Sequence, residues 1–224
     1  MTTPARPGPI TVAGWTRDDP LSVVESYLHA HGGTVEHFDF EAGKSPMLTP
    51  ALIAATRSPW MNSRISKAEE AWFLDRAQSA PWSNTDGTLV DADPLVADGL
   101  YDRAASLYDH FRLLPRSGVA VAKISKVLYL MRPHLFPILD SRLTRRYAAQ
   151  AREATVELRT VRPDVFAGVR RSYWAAYRAD LLTNADGLTA LRDALRDSRA
   201  PRAAKCANDL SDVRLLDMLA WRSE

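Results

Sequence analysis

The chain has 224 residues, 46% hydrophobic and 25% charged, with a formal net charge of +2 at neutral pH and one cysteine, Cys206. This balance suits one large globular domain or two small ones and excludes wholesale disorder. A single cysteine excludes an internal disulfide framework, a four-cysteine zinc site and a cysteine-ligated iron–sulfur cluster, and no apolar run approaches the ~20 residues needed to cross a bilayer.

The chain opens with MTTPARPGPI, which lacks the apolar centre of a secretion signal. Residues 1–18 read as a poorly ordered lead-in, residues 19–224 as a single helical domain, and the cytoplasm as the default compartment. Helix starts then recur. Asp19-Pro20, Thr49-Pro50 and Asp93-Pro94 each set a capping oxygen before a proline, whose missing N–H costs nothing in the first helical turn. Ser66 with Glu69 forms a capping box ahead of AEEAWFLDRA. Thr34–Phe40 alternates as a strand does, and Ile10–Val12 is its candidate partner. Asn84-Thr85-Asp86-Gly87 reads as a turn.

Pro163–Leu182 fits one long helix through Val165, Val169, Tyr173 and Tyr177, Leu188–Leu195 a shorter one, and Ser211 opens a last helix with an apolar stripe through Val213, Leu216, Leu219 and Ala220. The predicted fold is all-α: a single globular unit of about nine helices, a helix-hairpin-helix-like segment near 114–147, and at most a minor β ribbon.

Charge is unevenly spread. Residues 1–114 hold 9 Lys/Arg against 15 Asp/Glu, and residues 115–178 hold 13 against 4. Such a basic middle suits a nucleic acid, phosphate or acidic partner, or docking onto the acidic first half.

Its most site-like stretch is Leu114–Tyr147. A Pro/Gly turn precedes an amphipathic helix bearing Lys123 and Lys126. With Ile124, Val127, Leu128 and Met131 on the buried face, both lysines fall on the opposite, solvated side. A buried FPIL run follows and ends in Asp140, a carboxylate set before Ser141–Gln150 as an N-cap, as a stabiliser of developing positive charge, or as both. Arg142, Arg145 and Arg146 start that helix, where cations oppose the dipole. Together with Arg132 and the turn at Gly118 they could hold phosphates, or they are ordinary surface arginines. His29-x-His31, near Glu36 and His37, lacks a third ligand fixed by any motif, so neither metal nor cofactor is expected. Trp60, Trp72 and Trp82 are core residues or stacking surfaces.

Leu114, Pro115, Gly118 and Val119, followed by Lys123 and then Pro137 and Asp140, resemble the helix-hairpin-helix DNA glycosylases. Arg116 and Ser117 stand between proline and glycine, and Ala120 replaces the second hairpin glycine. The resemblance implies an all-helical fold, DNA as partner and N-glycosidic cleavage. It implies Asp140 and Lys123 as catalytic residues, with Gly118, Lys126, Arg132, Arg142, Arg145 and Arg146 toward the nucleic acid. Lys123, Arg132, Pro133, Leu135, Pro137 and Asp140, with the tail Leu210-Ser211, Arg214, Leu216, Asp217 and Trp221, are also similar to an uncharacterised bacterial domain family, which implies no activity. Three readings follow: a DNA-binding protein of glycosylase type, a non-catalytic module that docks protein or phosphate, and a scaffold whose Asp140 and arginines form a buried network.

Overall fold

A computed structural model describes residues 7–59 and 61–221. Among them run twelve α-helices and one two-stranded antiparallel ribbon, an all-α fold with a minor β element.

The ribbon pairs β1 (Ile10–Val12) with β2 (Trp15–Arg17), Val12 opposite Trp15. Its two-residue turn, Ala13-Gly14, has positive φ at both positions, the geometry that matches strand twist in a tight hairpin. Ala13 carries this strain because its N–H donates to Asp180 Oδ2 at 2.7 Å. Ile10 and Val12 are buried, so residues 10–17 of the stretch read as a lead-in are paired and packed; residues 1–6 lie outside the described residues.

The partner predicted for Ile10–Val12 is not a strand. Helix α1 (Pro20–His37) runs through Thr34 with a kink at His31, and the Phe38 N–H donates to the Thr34 carbonyl. Thr34, Val35, Phe38 and Asp39 are buried, a helical spacing that the alternation of TVEHFDF resembles over a short window.

Three of the caps form as expected. Asp19 accepts from Ser22 N–H ahead of α1, Thr49 from Leu52 N–H ahead of α2 (Pro50–Ala54), and Ser66 and Glu69 exchange both capping-box bonds ahead of α3 (Lys67–Gln78). Asp93-Pro94 starts no helix. Asp93 accepts from Leu95 N–H and lies 3.4 Å from Arg178, and α4 (Leu100–Arg112) begins only after Gly99.

A turn closed by Val119 N–H to the Arg116 carbonyl, with Gly118 at φ +83, joins α4 to α5 (Val121–Met131). Beyond the FPIL run come α6 (Ser141–Arg146) and α7 (Ala148–Val161). The long helix predicted from Pro163 is two, α8 (Pro163–Phe166) and α9 (Tyr173–Thr183). Between them the chain bends to α7, where Ser172 N–H reaches the Ala151 carbonyl at 2.9 Å and Arg159 binds the carbonyls of Phe166 and Val169.

Helices α10 (Ala185–Asp197) and α11 (Ala203–Asp209) lead to α12 (Asp212–Trp221), the centre of the fold. It packs against α1, α6 and α9, and its residues from Val213 to Ala220 are all buried, Arg214 and Asp217 included. A helix enclosed on every side is a core element, and its charged residues must find partners inside.

Candidate functional site

The FPIL segment holds Asp140 in place. Residues Leu135 to Leu139 are buried, and the last two N–H groups before Asp140 are taken by side chains from both flanks. Leu139 N–H donates to Ser125 Oγ of α5 at 3.1 Å and Ile138 N–H to Asp217 Oδ2 of α12 at 3.3 Å. Asp140 then caps α6: its Oδ1 accepts from the N–H groups of Arg142 and Leu143, both at 2.8 Å. Its Oδ2 accepts from the Trp221 indole N–H at 3.2 Å, ending a contact across the fold. A carboxylate oxygen has two acceptor sites, so Oδ2 keeps one besides the indole bond, and Asp140 also lines a cavity.

That cavity, about 240 Å³, lies between α1, α5, α12 and the loop 61–63. Ala122 and Lys126, four residues apart on one face of α5, both line it. Lys126 is only 5% exposed, against the solvated position that its helix face predicts. The reason is that α5 is enclosed all round from Ile124 to Met131, and the loop covers Lys126, whose Nζ donates to the Asn62 carbonyl. Burial pulls the Lys126 amine down to about 8, with the Asp140 carboxylate opposing the shift.

Aromatic rings form another wall. The His31 ring centroid lies 4.7 Å from that of Tyr27 and 4.5 Å from Trp221, which meets both rings edge-on. Burial, with the cations Arg214 and Arg142 nearby, lowers the His31 imidazole and favours its neutral form. Arg214 forms the floor. It binds Asp39 through two hydrogen bonds, donates to Tyr27 Oη at 3.1 Å, and lies 3.5 Å from Asp217 Oδ2. One arginine thus faces two buried acids. Asp217 is pushed up to about 7 by burial, which the attraction of Arg214 only partly offsets.

The other residues singled out in the sequence divide. Lys123 does not join Asp140 in the cavity: one turn from Lys126 on α5, it pairs instead with Glu69 at 2.5 Å. The hairpin residue Gly118 faces the same glutamate, since a Cβ there would lie 2.8 Å from Glu69 Oε1. Arg132, at the far end of α5, lies 3.3 Å from Asp86 and lines a separate cleft of about 500 Å³ with Lys44 and His134. Arg162 pairs with Asp102 and Arg178 with Asp93. Four cations of the basic middle are therefore matched by acids of the first half, as the docking reading expected.

Two arginines of α6 lie over rings. Arg142 stacks over Trp221 with its guanidinium carbon 4.0 Å from the ring centroid, Arg146 lies 5.1 Å from the Trp15 ring, and Arg145 is exposed.

Trp72 and Trp82 pack against Phe111, and Trp60 lies outside the described residues. Among the described residues no group of three or more His, Cys, Asp or Glu is placed to hold a metal ion, and no helix is long and apolar enough to cross a membrane. Cys206 is buried and its thiol is pushed up to about 12, which makes it a poor nucleophile.

Sequence reasoning missed Tyr27, His31, Arg214 and Trp221 as parts of one site. Arg214 and Trp221 carried a signal, as members of the tail pattern, but nothing local places them against Asp140. No curated protein and no solved structure matches this chain. Residues 44–224, most of the chain and both sides of the cavity except α1, match a family of unknown function, and the chain belongs to that family, DUF6308.

Proposed function

We propose that this is a DNA-binding protein whose cavity takes up one nucleobase, with Asp140 and Lys126 at the bond between sugar and base. The observation that carries the reading is the convergence of Asp140 and Lys126 on one small cavity walled by Tyr27, His31 and Trp221. Proteins that act on a base must take it out of the stack into such a pocket, where rings and polar edges read it. Arg142 and Arg145 lie on α6, whose Ser141 and Leu143 line the cavity, and supply charge for the phosphates.

The pair also has the makeup for N-glycosidic cleavage. The bond between the sugar carbon and the base nitrogen breaks with its electrons going to the base, which takes a proton from the Lys126 ammonium. Asp140 stabilises the positive charge left on the sugar, and water then adds to that carbon, giving up a proton to Asp140. Lys126, near 8, is close to the working range of a general acid. In this reading Lys126 takes the place that the glycosylase resemblance gives to Lys123.

Fluorescence anisotropy of the full chain against a plain duplex, a duplex with an abasic-site analogue and a single strand tests the proposal. Binding at low salt that weakens as salt rises, and that favours the probes with an accessible sugar or base, is the expected result. Failure to bind any probe at low salt overturns it.

A further inference from the structure

Helix α6 carries two arginine–tryptophan stacks in a row. Arg142 lies over Trp221, a wall of the cavity, and Arg146 lies beside Trp15 of the ribbon. The two arginines are four residues apart, one turn or about 6 Å along the helix. Arg145, between them in sequence, is exposed. Trp15 itself is 46% exposed, so its indole keeps accessible surface beyond the part that faces Arg146.

A large aromatic ring left half in water forgoes part of the burial that stabilises a fold, while the other described tryptophans of the chain pack against the core. Nor is the ribbon's position loose. It is fixed by Ile10 in the core, by Ala13 N–H on Asp180, and by Arg17 Nε on the Leu219 carbonyl at 3.1 Å. The ring is therefore presented from a rigid mount.

Cations beside an exposed ring, leading to a ring-walled cavity, have the makeup of single-strand binding. Guanidiniums track the phosphates, and the rings accept unpaired bases whose faces a duplex would hide. We infer that the α6 face from Trp221 to Trp15 is a track for an unpaired DNA strand, which delivers its base to the Asp140–Lys126 cavity without extrusion from a duplex. The inference rests on the DNA-binding reading above and adds the form of the strand. Acting on a strand already single avoids the cost of unpairing and unstacking a base.

The test compares a labelled oligodeoxythymidine with a duplex of equal length, for the full chain and for Trp15→Ala and Trp15→Phe, at one low salt concentration. The track predicts at least about tenfold tighter binding of the single strand. It also predicts that Trp15→Ala weakens single-strand binding about fivefold or more, that duplex affinity stays within about twofold, and that Trp15→Phe restores most of the loss. Equal affinity for the two probes, or single-strand affinity unchanged in Trp15→Ala, overturns the track and leaves DNA binding standing. Absence of binding to both probes overturns the DNA-binding reading itself.

Discussion

Arg214 and Asp39 hold each other through two hydrogen bonds, 2.9 Å from Nε to Oδ1 and 3.0 Å from Nη2 to Oδ2, with both side chains withdrawn from water. They are 175 residues apart in the chain and tie α12 to the end of α1 beneath the cavity. The planar fork of arginine matches a carboxylate with both donors at once, which lysine cannot do.

Breaking that pair from one side leaves a buried charge unmatched. Asp39→Asn is expected to lower stability by about 3–5 kcal/mol, and Arg214→Lys to lose a large part of the pairing. Replacing both members by apolar residues, as in Asp39→Leu with Arg214→Met, should recover most of the loss, because no lone charge remains. Urea unfolding of the four proteins checks the order. A double variant as unstable as Asp39→Asn would contradict it.

Asp217 makes folding stability depend on pH. Its folded value, about 7, lies above the ~3.9 of an unfolded aspartate, so between these values the folded state holds the extra proton. Its contribution is complete below about 4 and is lost as pH rises toward 7. Asp217→Asn, which keeps the shape and remains neutral, should flatten the fall in melting temperature between pH 5 and 8. An unchanged slope in the variant would show that Asp217 is ionised throughout.

Asp140 can be separated into cap and charge. Asparagine caps helices nearly as well as aspartate, so the cap itself should cost well under ~1 kcal/mol in Asp140→Asn and about 1 kcal/mol, within a range of 0.5–2, in Asp140→Ala. Asparagine has one carbonyl oxygen, so with that oxygen on the cap the Trp221 indole N–H loses its acceptor in both variants, and the difference between them isolates the cap. Thermal melts measure both. Any activity lost in Asp140→Asn at native stability then reports on the charge.

Lys126 should titrate in the native protein near 8, read from the chemical shift of its Cε in ¹³C-labelled protein. Asp140 holds the ammonium in its charged form, so Asp140→Asn should move that midpoint lower still. Because the folded value lies below that of an unfolded lysine, ~10.4, the folded state binds fewer protons between the two, and stability rises with pH through that window. A midpoint at ~10.4 would mean that the amine is solvated.

What the sequence determined by itself was local. Capping oxygens at Asp19, Thr49, Ser66 and Asp140 act on N–H groups two or three residues away, so their chemistry is written in adjacent letters, as is the Pro/Gly turn before α5. The all-α class follows from those signals and from helical periodicity. Where a local signal was ambiguous, tertiary contacts chose. The alternation in Thr34–Phe40 became helix because Thr34, Val35 and Phe38 face the core together. The helix begun at Pro163 broke because Ser172 found a partner in α7, and Asp93 served a turn and Arg178 instead of a cap.

The site belongs to the tertiary structure. Periodicity puts Lys123 and Lys126 on exposed faces of α5, but only the fold brings Glu69 to the first and the Asn62 loop over the second, 54 and 64 residues away. Trp221 reaches Asp140 across 81 residues, and the ribbon brings Trp15 beside Arg146. Burial and pairing set the charge state and exposure of each group, and both depend on parts of the chain that no local pattern brings together.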